Sequence, residues 1–106
     1  DIAHEEFWIL LLNKANHVIG KFNISVGGLT GTVADPIKIF KQAFEYNATG
    51  LILCHNHPSG NIKASDADLK LTQKLKEGGK LLDIPILDHI IIGQEKYFSF
   101  ADEGIL

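Results

Sequence analysis

A chain of 106 residues with 45% apolar side chains can bury one core without covalent staples, roughly two-thirds of the surface its unfolded form exposes. Its formal net charge is −3 and its ten basic residues are all lysine, so there is no arginine for bidentate phosphate or guanine contacts, and composition gives nucleic-acid binding no support. The single cysteine, Cys54, excludes an internal disulfide, a CxxC redox pair and a cysteine-rich zinc site.

A reducing, cytoplasmic setting is therefore expected, and no apolar run approaches the ~20 residues of a membrane span. The start at Asp1 without methionine reads as a single domain, residues 1–106, forming the C-terminal part of a longer protein. Asn23-Ile24-Ser25 and Asn47-Ala48-Thr49 match the glycosylation sequon, which has no meaning in a cytosol.

Phe7 to Leu12 is an almost unbroken apolar run, expected to be a strand buried on both faces; Asn13-Lys14-Ala15-Asn16 closes it, and His17 to Ile24 completes a hairpin. Gly27, Gly28 and Gly31 punctuate a loop and a short strand. Asp35-Pro36 is a helix start, a capping carboxylate followed by proline at the first helical position, and Ile39, Phe40, Ala43 and Phe44 repeat at helical spacing as far as about Asn47.

Gly50 to Cys54 has strand character and leads straight into His55-Asn56-His57-Pro58-Ser59-Gly60, an abrupt turn. From Ser65 the pattern is helical, with Ala67, Leu71, Leu75 and Leu82 on one stripe and Gly78-Gly79 weakening the far end; Lys70, Lys74, Lys76 and Lys80 make a solvated outer face. Ile86 to Ile92 and Tyr97 to Phe100 form a second hairpin around Gly93-Gln94-Glu95. Strands alternating with two helices predict an α/β domain, a mixed sheet with helices packed on its faces.

Chemistry concentrates after the fourth apolar run. Two histidines one residue apart, at a strand end, can aim their imidazoles at one point if the Pro58 to Gly60 turn bends the backbone. Two histidines and one carboxylate are a standard protein set for catalytic zinc, and Asp68, on the first turn of the helix capped by Ser65, is the natural third ligand. The pattern is His55-x-His57, seven residues, Ser65-x-x-Asp68. Each half also has an ordinary reading: Ser65 and Asp68 as a helix cap, and His-x-His as two solvated side chains.

HNHPSG, the following Ser-x-x-Asp and an upstream glutamate resemble the JAMM (MPN-plus, JAB) motif, and specifically its RadC-like branch. The resemblance covers essentially the whole chain: Glu5-x-Phe7 at the first strand, LILCHNHPSG, the Asp68 to Thr72 helix start, Ile84 to Ile92 with Asp88-His89 inside it, and the closing YFSFADEG. One departure is Ile37-Lys38, where an arginine is expected soon after Pro36. The resemblance implies a fold related to the cytidine deaminases and a zinc-dependent metallopeptidase or isopeptidase-like activity on a peptide or protein substrate. It implies His55, His57 and Asp68 as ligands of Zn2+, Glu5 as general base and acid, and Ser65 as donor to the developing oxyanion. Glu5 is preferred to Glu6 because the family's glutamate stands two residues before the phenylalanine, and neighbours in a strand point to opposite faces.

Several alternatives stand beside this one. A nucleobase deaminase needs His-x-Glu and Pro-Cys-x-x-Cys, which one cysteine cannot supply. His4-Glu5 falls short of an HExxH helix because position 8 is Trp. A non-enzymatic interaction module and a DNA-repair role remain, the latter suggested by the family's traditional name. His89 is expected to be a hydrogen-bonded structural histidine, with a supporting or substrate role as the alternative, and Cys54 a small core residue.

Overall fold

A computed structural model of the chain describes residues 5–26 and 34–106. The elements run β1 (Glu6–Leu12), β2 (Val18–Val26), α1 (Pro36–Glu45), β3 (Gly50–Asn56), α2 (Asp66–Leu81), β4 (Ile86–Ile92) and β5 (Tyr97–Ser99). The expected loop and short strand at Gly27, Gly28 and Gly31 lie outside the described residues, as does His4.

The five strands form one mixed sheet in the order β2-β1-β3-β4-β5. β1 is antiparallel to both β2 and β3, β3 is parallel to β4, and β4 is antiparallel to β5. The turn between β1 and β2 is built by Asn13, whose side-chain oxygen accepts from the backbone N–H groups of Ala15 and His17, each at 3.0 Å, while Asn16 takes a positive φ of 62°. Asp35 caps α1 by accepting from the Ile37 N–H at 2.9 Å, with Pro36 at the start of the helix.

β2 and β3 are parallel through β1, so α1 and α2 each close a crossover between parallel strands, and both crossovers advance in the same direction across the sheet. Right-handed connections then place both helices on one face. The core confirms it: Ile39, Phe40 and Ala43 of α1 and Leu75 of α2 join one cluster with Phe7, Ile9, Leu11, Leu51 and Leu53. This corrects the expectation that β1 is buried on both faces. Phe7, Ile9 and Leu11 are buried under the helices, whereas Glu6, Trp8 and Leu10 are only half-buried on the opposite face. Cys54 lies on that second face too and is half-buried rather than part of the core, and burial raises its thiol pKa.

The buried stripe of α2 also differs from expectation. It is Thr72, Leu75 and Gly79, while Ala67 and Leu82 are exposed. Gly79 does not end the helix early; it permits a close approach of α2 to the Ile84 backbone. A Cβ there would collide with the Ile84 carbonyl oxygen, a backbone atom that cannot swing away. Gly→Ala inside a helix ordinarily gains about 0.5–1 kcal/mol. Here Gly79→Ala is expected to lose about 1–3 kcal/mol through overpacking, read as a lower urea midpoint at unchanged slope. A higher midpoint would show that the helix is free to shift.

Candidate metal centre

β3 carries the site to the end of the sheet. The strand runs on through His55 to Asn56, so alternation alone puts His55 and His57 on the same, helix-covered face, and no bend is needed to bring them together. The turn has a different task. Gly60, at φ 85°, lets the chain double back, and the Asn61 carbonyl oxygen meets His57 Nδ1 at 2.6 Å. A carbonyl only accepts, so Nδ1 holds the hydrogen, and the Nε2 of neutral His57 presents a lone pair.

Asp68 arrives from the first turn of α2. The Ser65 hydroxyl oxygen accepts from the Asp68 N–H at 3.0 Å, and Asp68 Oδ2 accepts from the Ser65 N–H at 2.8 Å, a reciprocal capping box. The ordinary reading of Ser65-x-x-Asp68, a helix cap, is therefore realised, and the cap aims the carboxylate at the two histidines. His55 Nε2 lies 3.0 Å from His57 Nε2 and 3.1 Å from Asp68 Oδ1, and His57 Nε2 lies 3.2 Å from Asp68 Oδ2. Three donor atoms holding one tetrahedral zinc at about 2.0–2.1 Å would be separated by about 3.3 Å, so the cluster fits such an ion with little adjustment. His55, His57 and Asp68 are the one group among the described residues whose ligating atoms converge in this way, all within 4.8 Å of one another.

The electrostatics agree. Burial alone would raise the Asp68 carboxyl, but hydrogen bonds from His55 and from the Ser65 backbone, with the charge of His55, outweigh it and hold the group well below the usual carboxylate range. A carboxylate kept ionised beside two imidazoles is a cation site in its donor chemistry.

Glu5 immediately precedes β1 and has the parity of Phe7, whose partner across the sheet is His55. It shares a cavity of about 370 Å³ with His57, Lys63 and Ser65. Glu6 faces the other way, where its carboxylate accepts from Trp8 Nε1 at 2.9 Å. The structure thus brings all five sequence-predicted residues to one end of the sheet, with Glu5 rather than Glu6 on the cluster's side.

His89 is the buried, hydrogen-bonded histidine that was expected, and one of its partners is a residue of the cluster. It is wholly buried on β4, stacks on Phe100 with ring centroids 4.6 Å apart, and meets His55 Nδ1 through its Nε2 at 2.8 Å. Its other nitrogen lies 2.5 Å from the Thr72 hydroxyl. A usable signal existed: β3 and β4 are joined by one helix and pair in parallel, setting His89 beside Leu53 and within reach of His55 on the same face. Asp88 points oppositely. It accepts from the N–H groups of His89 and Ala101 and from the Ser99 hydroxyl, tying the C-terminal turn to β4.

A mixed α/β sheet ending in a His–His–Asp cluster, with a capping serine on the following helix, defines a JAB-type domain with a possible metal site. The RadC-like JAB domain family matches residues 1–105, and the chain belongs to that family. It is 54% identical over 105 residues to a protein of Flavobacterium johnsoniae named UPF0758 protein, covering 99% of this chain and 46% of that one. It is 45% identical over 107 residues to the like-named protein of Porphyromonas gingivalis, covering 100% of this chain and 47% of that one. A third, from Desulfitobacterium hafniense, is 43% identical over 117 residues, covering 100% and 52%. The chain thus spans about half the length of the curated relatives it matches. No helix among the described residues is long and apolar enough to cross a membrane.

Proposed function

We propose that the chain is a zinc-dependent hydrolase of the JAMM type, cleaving amide bonds in a peptide or protein substrate. The observation that carries this reading is the convergence of His55, His57 and Asp68 within 4.8 Å, with His57 lining a cavity that Glu5 and Ser65 also line. His55 Nε2, His57 Nε2 and an Asp68 oxygen would hold the ion. Zinc bound there supplies Lewis acidity, lowering the pKa of a coordinated water toward about 7 and polarising a carbonyl.

The remaining work falls to side chains. Glu5, beside His57, takes a proton from the attacking water and returns it to the departing nitrogen, which balances the hydrolysis without a further acid. The Ser65 oxygen accepts from the Asp68 N–H, and its own hydrogen is available for the substrate carbonyl oxygen as negative charge grows there. Pro58 and Ser59 line the same mouth and limit how a chain can enter.

Metal analysis tests the reading directly. One zinc per chain is expected after purification without chelators or after adding zinc, and none in the His55→Ala/His57→Ala double variant. A parent chain that neither carries nor takes up metal would end the proposal.

Against a nucleic-acid role stand the composition and net charge, although α2 presents a local row of lysines. Lys70, Lys74, Lys76 and Lys80 are all exposed along α2 and the net charge is −3. Titration of labelled duplex DNA at about 150 mM salt is expected to show no micromolar binding, since such binding uses several phosphate contacts from a basic surface. Micromolar affinity that falls steeply with salt would reverse this.

A further inference from the structure

Two imidazoles in contact must agree on which of them holds the shared hydrogen. Here the choice extends across β3, β4 and α2. His55 Nδ1 meets His89 Nε2, His89 Nδ1 meets the Thr72 hydroxyl oxygen, and that hydroxyl donates to the Asp68 backbone carbonyl at 2.7 Å. We propose that His89 and Thr72 are positioning residues that set the tautomer of His55, so that its Nε2 turns a lone pair, not a hydrogen, toward the ligand cluster. The inference rests on reading His55, His57 and Asp68 as a metal centre.

The order of the hydrogens follows from the two ends. The Asp68 carbonyl can only accept, so the Thr72 hydrogen is used there and the Thr72 oxygen is left as an acceptor. His89 Nδ1 then carries the hydrogen that fills it, and neutral His89 offers a bare Nε2. His55 Nδ1–H donates to that Nε2, and His55 Nε2 is free of hydrogen. Each donor meets an acceptor, as a buried chain requires. His89 is wholly buried, and both of its nitrogens are already met by His55 and Thr72, so the ring needs no second hydrogen to fill its contacts.

The reverse order is less complete, because it withdraws the Thr72 hydrogen from the Asp68 carbonyl. Thr72 then donates to His89, His89 to His55, and His55 Nε2–H to Asp68 Oδ1, at 3.1 Å. Both orders hold the same number of protons. Loading the site exchanges one for the other, and the relay holds His55 oriented in each. His57 has a simpler arrangement, a fixed carbonyl behind its Nδ1, so only His55 depends on a partner that must itself be set. Ligand histidines whose outer nitrogen loses its partner commonly lose 10- to 100-fold in metal affinity.

The test uses the chain labelled with 15N-histidine. In the zinc-loaded protein, long-range proton–nitrogen spectra are expected to show His55 and His89 both as Nδ1–H tautomers. Competition with a chromophoric chelator is expected to show zinc affinity about 10- to 100-fold weaker in Thr72→Val and in His89→Leu, and close to the parent in Thr72→Ser, which restores the hydroxyl. An Nε2–H tautomer at His89 in the loaded protein, parent-like affinity in Thr72→Val, or equal weakening in Thr72→Val and Thr72→Ser would each overturn the relay while leaving the metal centre standing. A parent chain that takes up no zinc overturns both. Should His89→Leu fail to fold by circular dichroism, the Thr72 pair and the spectra decide alone.

Discussion

Glu5→Gln is expected to keep zinc bound and to lower hydrolysis of an amide substrate by about 10²- to 10⁴-fold, the usual worth of a placed proton-transfer group. The carboxylate is not one of the three converging ligands, so the ion's affinity should stay near that of the parent. Glutamine keeps the length and a carbonyl oxygen but cannot take a proton. The loss should therefore fall on turnover rather than on substrate binding. Glu6→Gln is the matched control, because Glu6 shares the face of Trp8 and accepts from its indole N–H. Turnover abolished in Glu6→Gln but intact in Glu5→Gln would mean that the strand leads the catalytic carboxylate to the opposite face, and the assignment would fail.

That assignment rests on the resemblance, in which the glutamate stands two residues before the phenylalanine, while strand parity adds only that Glu5 and Glu6 face opposite ways. The capped starts of both helices and the two hairpins were legible from residue types at their positions, and the spacing His55-x-His57 with Asp68 marked the three side chains that converge. What stayed hidden was hidden by chemistry. The inner stripe of α2 includes Thr72, which reads as polar surface until the β4 histidine behind it is placed. Apolar Ala67 and Leu82 drew the stripe elsewhere, although Leu82 only caps the helix. Likewise β1 looked doubly buried because six consecutive residues, Phe7 to Leu12, are apolar. Only the handedness of two successive crossovers shows that both helices lie on one side. The partner of His89 was hidden for a related reason: it is a nitrogen 34 positions away in sequence, and no local pattern reports that distance.

Acid should destabilise the metal-free chain well above the carboxylate range, and His89 is the cause. Its pKa drops from 6.5 to about 3 on folding, chiefly because burial penalises the charged ring. Between those values the unfolded chain accepts a proton that the folded one refuses. More protons bound in the unfolded state means that stability rises with pH across this window, and so is lost as pH falls from about 6.5 toward about 3. One group contributes about 1.4 kcal/mol per pH unit, approaching a ceiling of about 5 kcal/mol at the acid end. Asp68, depressed below the usual carboxylate range, acts in the same direction but only below about pH 4, where the unfolded carboxyl begins to protonate. The two are therefore separable by pH. Urea unfolding in the presence of a chelator is expected to show the parent losing about 2 kcal/mol between pH 7 and pH 5 from His89 alone, a share missing from His89→Leu. The comparison is between slopes with pH, so it tolerates a variant that starts out less stable. Equal slopes in the two proteins would mean that the folded site accommodates a protonated ring, against the burial, the stacking on Phe100 and the filled hydrogen bonds on both of its nitrogens.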